Sequence, residues 1–255
     1  QTTRLLRDPS AWYHIVVAID TTQATAGNKV LVYINGELQT SFSASTYGAD
    51  QDLILGDASN HTTERIGTLG TAYYSGATSG TAAGRMNGYI AEFNHVDGLS
   101  FFSNTSGAAN SAFGIASFGE LKNGVWIPVE PVVSDYGDNG FRLQFKQTGL
   151  GAGGTDKIGA DTKASGTKRH FTSVGIDTQD CAMPDSPENN FATWNPNYRI
   201  FGDTGFLATT EGNLFVTGGG DVNSDRAWGM STIAINEVMR NSNGAGVYME
   251  VRSPS

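Results

Sequence analysis

Acidic side chains are the first place to look for chemistry in this chain. Retaining glycoside hydrolysis needs a proton donor and a nucleophile about 5–5.5 Å apart, which a β-strand supplies by placing carboxylates at alternate positions. The segment Gly88 to Val96 offers Glu92 alone, with Ile90 two residues before it and Asn94 two after. Glu92 therefore reads as a polar residue on a sheet face. The histidines, His14, His61, His95 and His170, lie far apart, with no pair at zinc-ligand spacing. His14 and His95 fall in strand-like segments and read as sheet-face residues. The single cysteine, Cys181, sits in a polar loop with no histidine near it, so nothing activates it as a nucleophile. No catalytic residue is assigned.

Ligand-binding patterns are weaker still. Gly149-x-Gly151-x-x-Gly154 follows a strand and has the spacing of a dinucleotide-binding loop. That loop works only when a helix opens at once and turns its N-terminus to the pyrophosphate. Thr155-Asp156-Lys157-Ile158-Gly159 has no helical period, so a plain loop is expected. Asp221-x-Asn223-x-Asp225 begins like a calcium loop, yet Arg226 stands where glycine is needed and Thr232 where the closing glutamate belongs. It reads as a solvated turn, with calcium as the one cofactor that the pattern leaves open. Tyr47, Tyr73 and Tyr74 lie in polar loops, where exposed aromatics can stack on sugar rings or pack on a neighbouring subunit.

The elements that must position these residues follow from composition. Glycine makes up 33 of 255 residues, nearly twice its usual share of about 7%, and Thr, Ser and Asn are also abundant. Such a chain is poor in helix formers and rich in turn formers, which predicts an all-β fold of short strands and many loops. The net charge of −9 and the lack of a basic patch beyond Lys168-Arg169-His170 argue against nucleic acid as a partner. One cysteine allows no internal disulfide. The longest apolar run, Ile15 to Ile19, is far short of the roughly 20 residues of a membrane helix, so no membrane insertion is expected. No signal-peptide pattern is visible, and an opening at Gln1 rather than Met reads as a processed or partial product.

Trp12 to Ile19 is nearly continuous in apolar character and predicts a central strand buried on both faces. Val30 to Ile34, Asn35-Gly36 and Glu37 to Phe42 predict a hairpin, because Asn-Gly accepts the two positive φ values of a two-residue turn. Val30, Val32 and Ile34 should then share one face, and Leu31 and Tyr33 the other. Weaker strands are expected at Asp52 to Leu55 and around Ile66, a long exposed loop over Gly70 to Gly84, and a strand over Gly88 to Val96. Ser111 to Leu121 suggests a short helix stopped near Asn123-Gly124, followed by an extended connector from Trp126 to Tyr136. Further strands are expected at Gly140 to Phe145, Asn213 to Thr217, Met230 to Val238 and Gly246 to Val251.

Several of these segments together resemble a known family. Arg7-Asp8-Pro9-Ser10-Ala11-Trp12-Tyr13-His14-Ile15-Val16, Asp20 to Ala26 and Val32-Tyr33-Ile34-Asn35-Gly36 resemble the concanavalin A-like (laminin G-like) jelly-roll domains of structural proteins from tailed, often marine, bacteriophages. Gly88 to Phe93 with Val96-Asp97-Gly98 resembles that family's closing strand. Ser117 to Glu120, Gly124 to Pro128, Asn139 to Phe141 and Asp185 to Pro196 follow in the same order, so the resemblance spans residue 4 to about 197. The chain departs from it twice. Asp161 to Thr167 replaces an Asp-x-Ser-Gly-Asn-Gly-Asn-like turn, and residues 99–114 look like an insertion.

The resemblance implies a partial jelly roll over 1–98, a connector with a short helix over 99–136, and a second β-rich region over 137–255 leading into a SPRY-like sandwich. Both ends would then be cut. It further implies a non-enzymatic virion protein on the particle surface, in a tail fibre, spike or similar appendage. Such a protein would work as a homo-oligomer beside other virion proteins and touch a host surface glycan through residues such as Tyr47, Tyr73 and Tyr74. Capsid decoration, a carbohydrate-binding module and a glycan hydrolase are the alternatives. For a phage assembled inside bacteria, the glycosylation patterns at Asn60 and Asn104 carry no meaning.

Overall fold

The computed structural model describes residues 2–8, 11–42 and 88–176, together with 178–181, 183, 185–189, 191–195, 206–210, 214–219 and 231–232. Strands far outweigh helix among them. Helix is limited to the four-residue turn Ala26–Lys29 (α1) and to 3-10 turns at Ile115–Ser117 and Thr178–Asp180. The all-β expectation therefore holds at the level of class. Contacts divide the chain into two compact units: one of Gln1–Leu6, Trp12–Met86 and Ile90–Ala182, the other of Arg7–Ala11, Asn87–Tyr89 and Met183–Ser255.

In the first unit, β1 (Ile15–Ile19), β2 (Val30–Ile34) and β3 (Glu37–Leu38) form an antiparallel sheet with β2 in the middle. Asn35 and Gly36 turn the chain between β2 and β3 with φ of 49° and 76°, the two positive values that the Asn-Gly pair predicts. Val16 lies opposite Tyr33 and Ala18 opposite Leu31, so these four share a face. That face packs on Phe101, Phe113, Val133 and Tyr136, the core cluster of this unit. Tyr33 meets Phe101 at 6.0 Å, and Phe101 meets Phe113 edge-on at 5.3 Å.

The opposite face departs from expectation. The strand runs over Ile15–Ile19 rather than from Trp12, and it is not buried on both sides. Ile15 and Val17 are each 53% exposed and Ile19 38%. On β1 the covered side is the one toward the aromatic cluster, whereas on β2 the other face is closed at Ile34, which lies opposite Ile15 and is 3% exposed. Among the described residues β1 pairs with β2 alone.

Residues 99–136 are the second departure. Instead of a helix and an extended connector, they hold one 3-10 turn and a hairpin. Its strands are β5 (Gly119–Lys122) and β6 (Val125–Pro128). Asn123 and Gly124 do not stop a helix; with φ of 52° and 82° they make a second two-residue hairpin turn. The apparent insertion over 99–114 supplies Phe101 and Phe113 to the core.

The expected strand over Gly88 to Val96 is cut to β4 (Phe93–His95), because Glu92 takes a φ of 63° just before it. β4 pairs antiparallel with β7 (Phe141–Leu143). That pairing carries the sheet across the boundary expected near residue 98, and the first unit runs on to Ala182. In the second unit, β8 (Phe206–Thr210) and β9 (Phe215–Gly219) form a hairpin. β9 overlaps the strand expected over Asn213 to Thr217, while β8 was not anticipated. The expected elements at Asp52 to Leu55, Ile66, Gly70 to Gly84 and Gly246 to Val251 lie outside the described residues, as does nearly all of Met230 to Val238.

The two faces of β1 predict unequal responses to truncation. Phe101→Ala should destabilise the protein by about 3 kcal/mol or more, since it empties a buried aromatic site. Ile15→Ala should change stability by less than about 1 kcal/mol. Urea unfolding followed by circular dichroism compares them directly, and equal losses would contradict the one-sided packing.

Candidate functional site

The one acidic residue that the sequence singles out does not stand alone. Glu92 Oε1 accepts a hydrogen bond from Arg142 Nε, and Arg142 Nη1 donates to Glu130 Oε1. Glu92 precedes β4, Arg142 is the middle residue of β7, and Glu130 follows β6, so one guanidinium ties three segments. Asn94 extends the network: its Nδ2 donates to Glu92 at 3.3 Å, and its Oδ1 accepts from Tyr136 Oη at 2.8 Å. Sequence reasoning missed Glu130 and Arg142. A charged residue between Phe141 and Leu143 in an apolar strand was the available sign that a partner carboxylate must be near.

The electrostatics follow from this arrangement. The hydrogen bond from Arg142 holds the Glu130 carboxyl below the ordinary carboxylate range. Burial opposes the charge of Arg142, but the hydrogen bonds it donates to Glu130 and Glu92 outweigh this and raise its pKa. Burial pushes the Tyr136 hydroxyl up to about 12. A hydrolytic pair needs one carboxyl kept protonated as an acid and one free to attack. Here both carboxylates are paired with one arginine, and Glu130 is driven toward ionisation. This geometry suits a structural ion network.

The three described histidines each have a separate setting. His14 Nδ1 accepts from Trp126 Nε1 at 2.9 Å. His95 stacks on Phe141 at 5.3 Å, and His170 Nδ1 accepts from the Asp161 amide at 3.2 Å. The loop expectation for Gly149 to Gly154 fits the structure: Gly149 and Ile158 bond across it, and no helix opens there. Cys181 is buried. Among the described residues, no three His, Cys, Asp or Glu side chains gather as metal ligands, and no helix is long and apolar enough to cross a membrane. Tyr47, Tyr73, Tyr74, His61 and the Asp221-Asn223-Asp225 pattern lie outside the described residues.

Asp161, the first residue of the departing turn, is a hub rather than a free ligand. Its side chain is wholly buried and accepts backbone N–H bonds from Arg142 at 3.0 Å, Lys163 at 3.1 Å and Arg169 at 2.7 Å. The buried Lys163 Nζ donates to the Gly140 carbonyl at 2.6 Å. These bonds position one wall of an open polar cleft of about 460 Å³, lined by Ser134, Asp135, Gly137 and Asp138 on one side and Ser165, Gly166 and Thr167 on the other. Arg169 braces it, with Nε donating to the Asp138 carbonyl at 3.0 Å and Nη2 to Asn139 Oδ1 at 3.0 Å.

Compared with known proteins, the chain matches no family model, and no curated protein and no solved structure is significantly similar to it.

The Arg142 network makes an asymmetric prediction. Arg142→Met leaves the half-buried Glu92 without its counter-charge and takes away the buried guanidinium that ties three segments, and it should lower stability by about 2–3 kcal/mol. Glu130→Gln, at an exposed carboxylate, should lower it by less than about 1 kcal/mol. Thermal unfolding at pH 7 separates the two, and a reversed order would refute Arg142 as the centre of the network.

Proposed function

We propose that this chain is a structural, non-enzymatic component of a tailed-phage particle, placed on its surface in a tail fibre, spike or similar appendage and assembled with further copies of itself and other virion proteins. The finer fold assigned on this reading is a partial concanavalin A-like jelly roll, with the second unit leading into a SPRY-like sandwich. Support comes from the ordered phage-type segments between residues 4 and 197, the all-β class, and the two carboxylates held in ion pairs by Arg142.

The observation that carries the reading is the open aliphatic face of β1. Ile15, Val17 and Ile19 stand in a row on one side of the sheet, more than a third exposed and without a charged residue among them. Contiguous apolar surface of this kind is the mark of a contact with other protein. In an acidic chain, an uncharged patch is also where copies of like charge can approach. An assembly subunit has a use for such a face, whereas a freely diffusing enzyme does not.

A carbohydrate-binding role is the second reading, favoured by the cleft between residues 134–138 and 165–167. Two exposed carboxylates, Asp135 and Asp138, together with Ser134, Ser165 and Thr167, offer acceptors and donors for sugar hydroxyls. Gly166, where an added Cβ would meet only the Lys163 side chain at 3.8 Å, leaves room for a ring to approach the backbone.

Electron cryo-microscopy of whole particles tests the first reading. Density for this chain is expected on the tail as a multimer; copies arrayed over the shell would move the assignment to capsid decoration. Val17→Lys should weaken self-association at least tenfold in analytical ultracentrifugation while leaving the fold intact by circular dichroism.

A glycan array carrying neutral and acidic bacterial oligosaccharides tests the second reading. Neutral oligosaccharides should bind, and Asp135→Ala with Asp138→Ala should abolish the signal without shifting the melting temperature. Binding that survives both changes would remove the cleft from consideration.

A further inference from the structure

The β5–β6 hairpin is held by an unusually small set of contacts. Glu120, Leu121, Lys122, Val125, Ile127 and Pro128 are all exposed. Gly119 is buried and Trp126 half-buried, and these two mark where the hairpin touches the rest of its unit. The Trp126 ring lies against bare backbone at two glycines: a Cβ added to Gly36 would come within 2.2 Å of it, and one added to Gly119 within 2.3 Å. The indole thus sits in a slot that only glycines leave open, one from its own hairpin and one from the β2–β3 turn.

Its polar end is fixed by His14. Trp126 Nε1 donates to His14 Nδ1 at 2.9 Å, and the rings stack at 6.0 Å with planes 22° apart. His14 is itself locked to the turn. Its amide donates to Asn35 Oδ1 at 2.8 Å, and its carbonyl accepts from the Asn35 amide at 2.8 Å. The residue before β1, the β2–β3 turn and the β5–β6 hairpin therefore meet at one indole–imidazole pair. Its chemistry has a condition attached. An indole N–H can only donate, so His14 must present an unprotonated Nδ1. Imidazolium carries N–H on both nitrogens and would set donor against donor.

We infer that the His14–Trp126 pair is an acid-released clasp, which holds the β5–β6 hairpin on the β2–β3 turn when His14 is neutral and frees it when His14 is protonated. The neighbouring charges leave this protonation unopposed and uncompensated. On the turn side, Glu37 is paired with Arg4 at 2.6 Å. On the hairpin, Glu120 and Lys122 lie opposite Ile127 and Val125, on the face away from Leu121 and Trp126. Burial alone lowers the pKa of His14 from 6.5. A group with a lowered pKa binds fewer protons in the closed state than in the open one. The closed state is therefore favoured in full above about pH 6.5 and loses ground as pH falls through the lowered value. The opening is confined to the hairpin, because the β1–β2 sheet rests on its own aromatic cluster.

Amide hydrogen exchange of the intact chain, expressed as protection factors between pH 7.5 and 5, reads this directly. Protection over residues 119–128 should fall several-fold with acidification while that of β1 and β2 holds. His14→Asn keeps an acceptor near the Nδ1 position at every pH and should abolish the pH dependence. Trp126→Phe removes the donor and should leave the hairpin weakly protected throughout. In the unmodified chain, nitrogen NMR of His14 should show the Nε2–H tautomer at pH 7.5, so the idea stays testable even when a variant folds poorly. Flat protection in the unmodified chain, an undiminished pH effect in His14→Asn, an Nδ1–H tautomer, or equal loss across β1 and β2 would each overturn it.

Discussion

One packing contact organises the first unit: the inner face of β1 and β2 laid on the cluster of Phe101, Phe113, Val133 and Tyr136. With no disulfide available, dispersion and loss of apolar surface from water must hold this layer together. The cluster also sets the direction of everything around it. Because Val16, Ala18, Leu31 and Tyr33 turn inward together, Ile15, Val17 and Ile19 must turn outward. The open aliphatic face is thus the geometric partner of the packed one. Tyr136 sits at the cluster's edge, and its hydroxyl reaches Asn94, so the apolar layer passes directly into the polar network.

That network supplies the unit's second constraint. Arg142 and Asp161 both carry charge where water is scarce, and both are satisfied by several partners: two carboxylates for Arg142, three backbone amides for Asp161. Buried charge is tolerated only under such saturation. The same saturation limits chemistry. A carboxylate that already accepts three amides has little capacity left for a metal, and carboxylates sharing one guanidinium make a poor acid–nucleophile pair. Glu92, the carboxylate that the sequence singles out, is already held by Arg142 and Asn94, whereas the cleft near Asp135 and Asp138 leaves its carboxylates exposed.

The hairpin beyond the cluster shows the opposite economy. The β5–β6 strands have exposed side chains almost throughout and depend on one indole placed against two glycines. A segment so lightly attached opens at lower free energy than the sheet beside it. Because its polar anchor is a histidine, protonation can act on that opening within an ordinary pH range. A face suited to assembly and a clasp sensitive to acid thus lie on one small sheet.

By itself, the sequence determined what depends on local backbone chemistry. Its glycine-rich, turn-forming composition led to the all-β class, and Asn35-Gly36 led to the hairpin with its register and faces, since a two-residue turn with positive φ admits few other residues. The same rule was legible at Asn123-Gly124, where a helix was expected instead; the flanking Leu121 and Trp126 lack the continuous β-branched run that marked β2. Tertiary structure alone decided the rest. Whether the apolar run from Trp12 to Ile19 is buried on one face or two depends on what packs against it, which lies some 80 residues or more away in sequence at Phe101 and beyond. Glu92 acquired its meaning only when β4 paired with β7 and brought Arg142 beside it. His14 became a proton-sensitive group only because Trp126, 112 residues later, lands on Gly36. Turns are decided by neighbours in the chain; burial, ion pairing and a histidine's proton affinity are decided by neighbours in space.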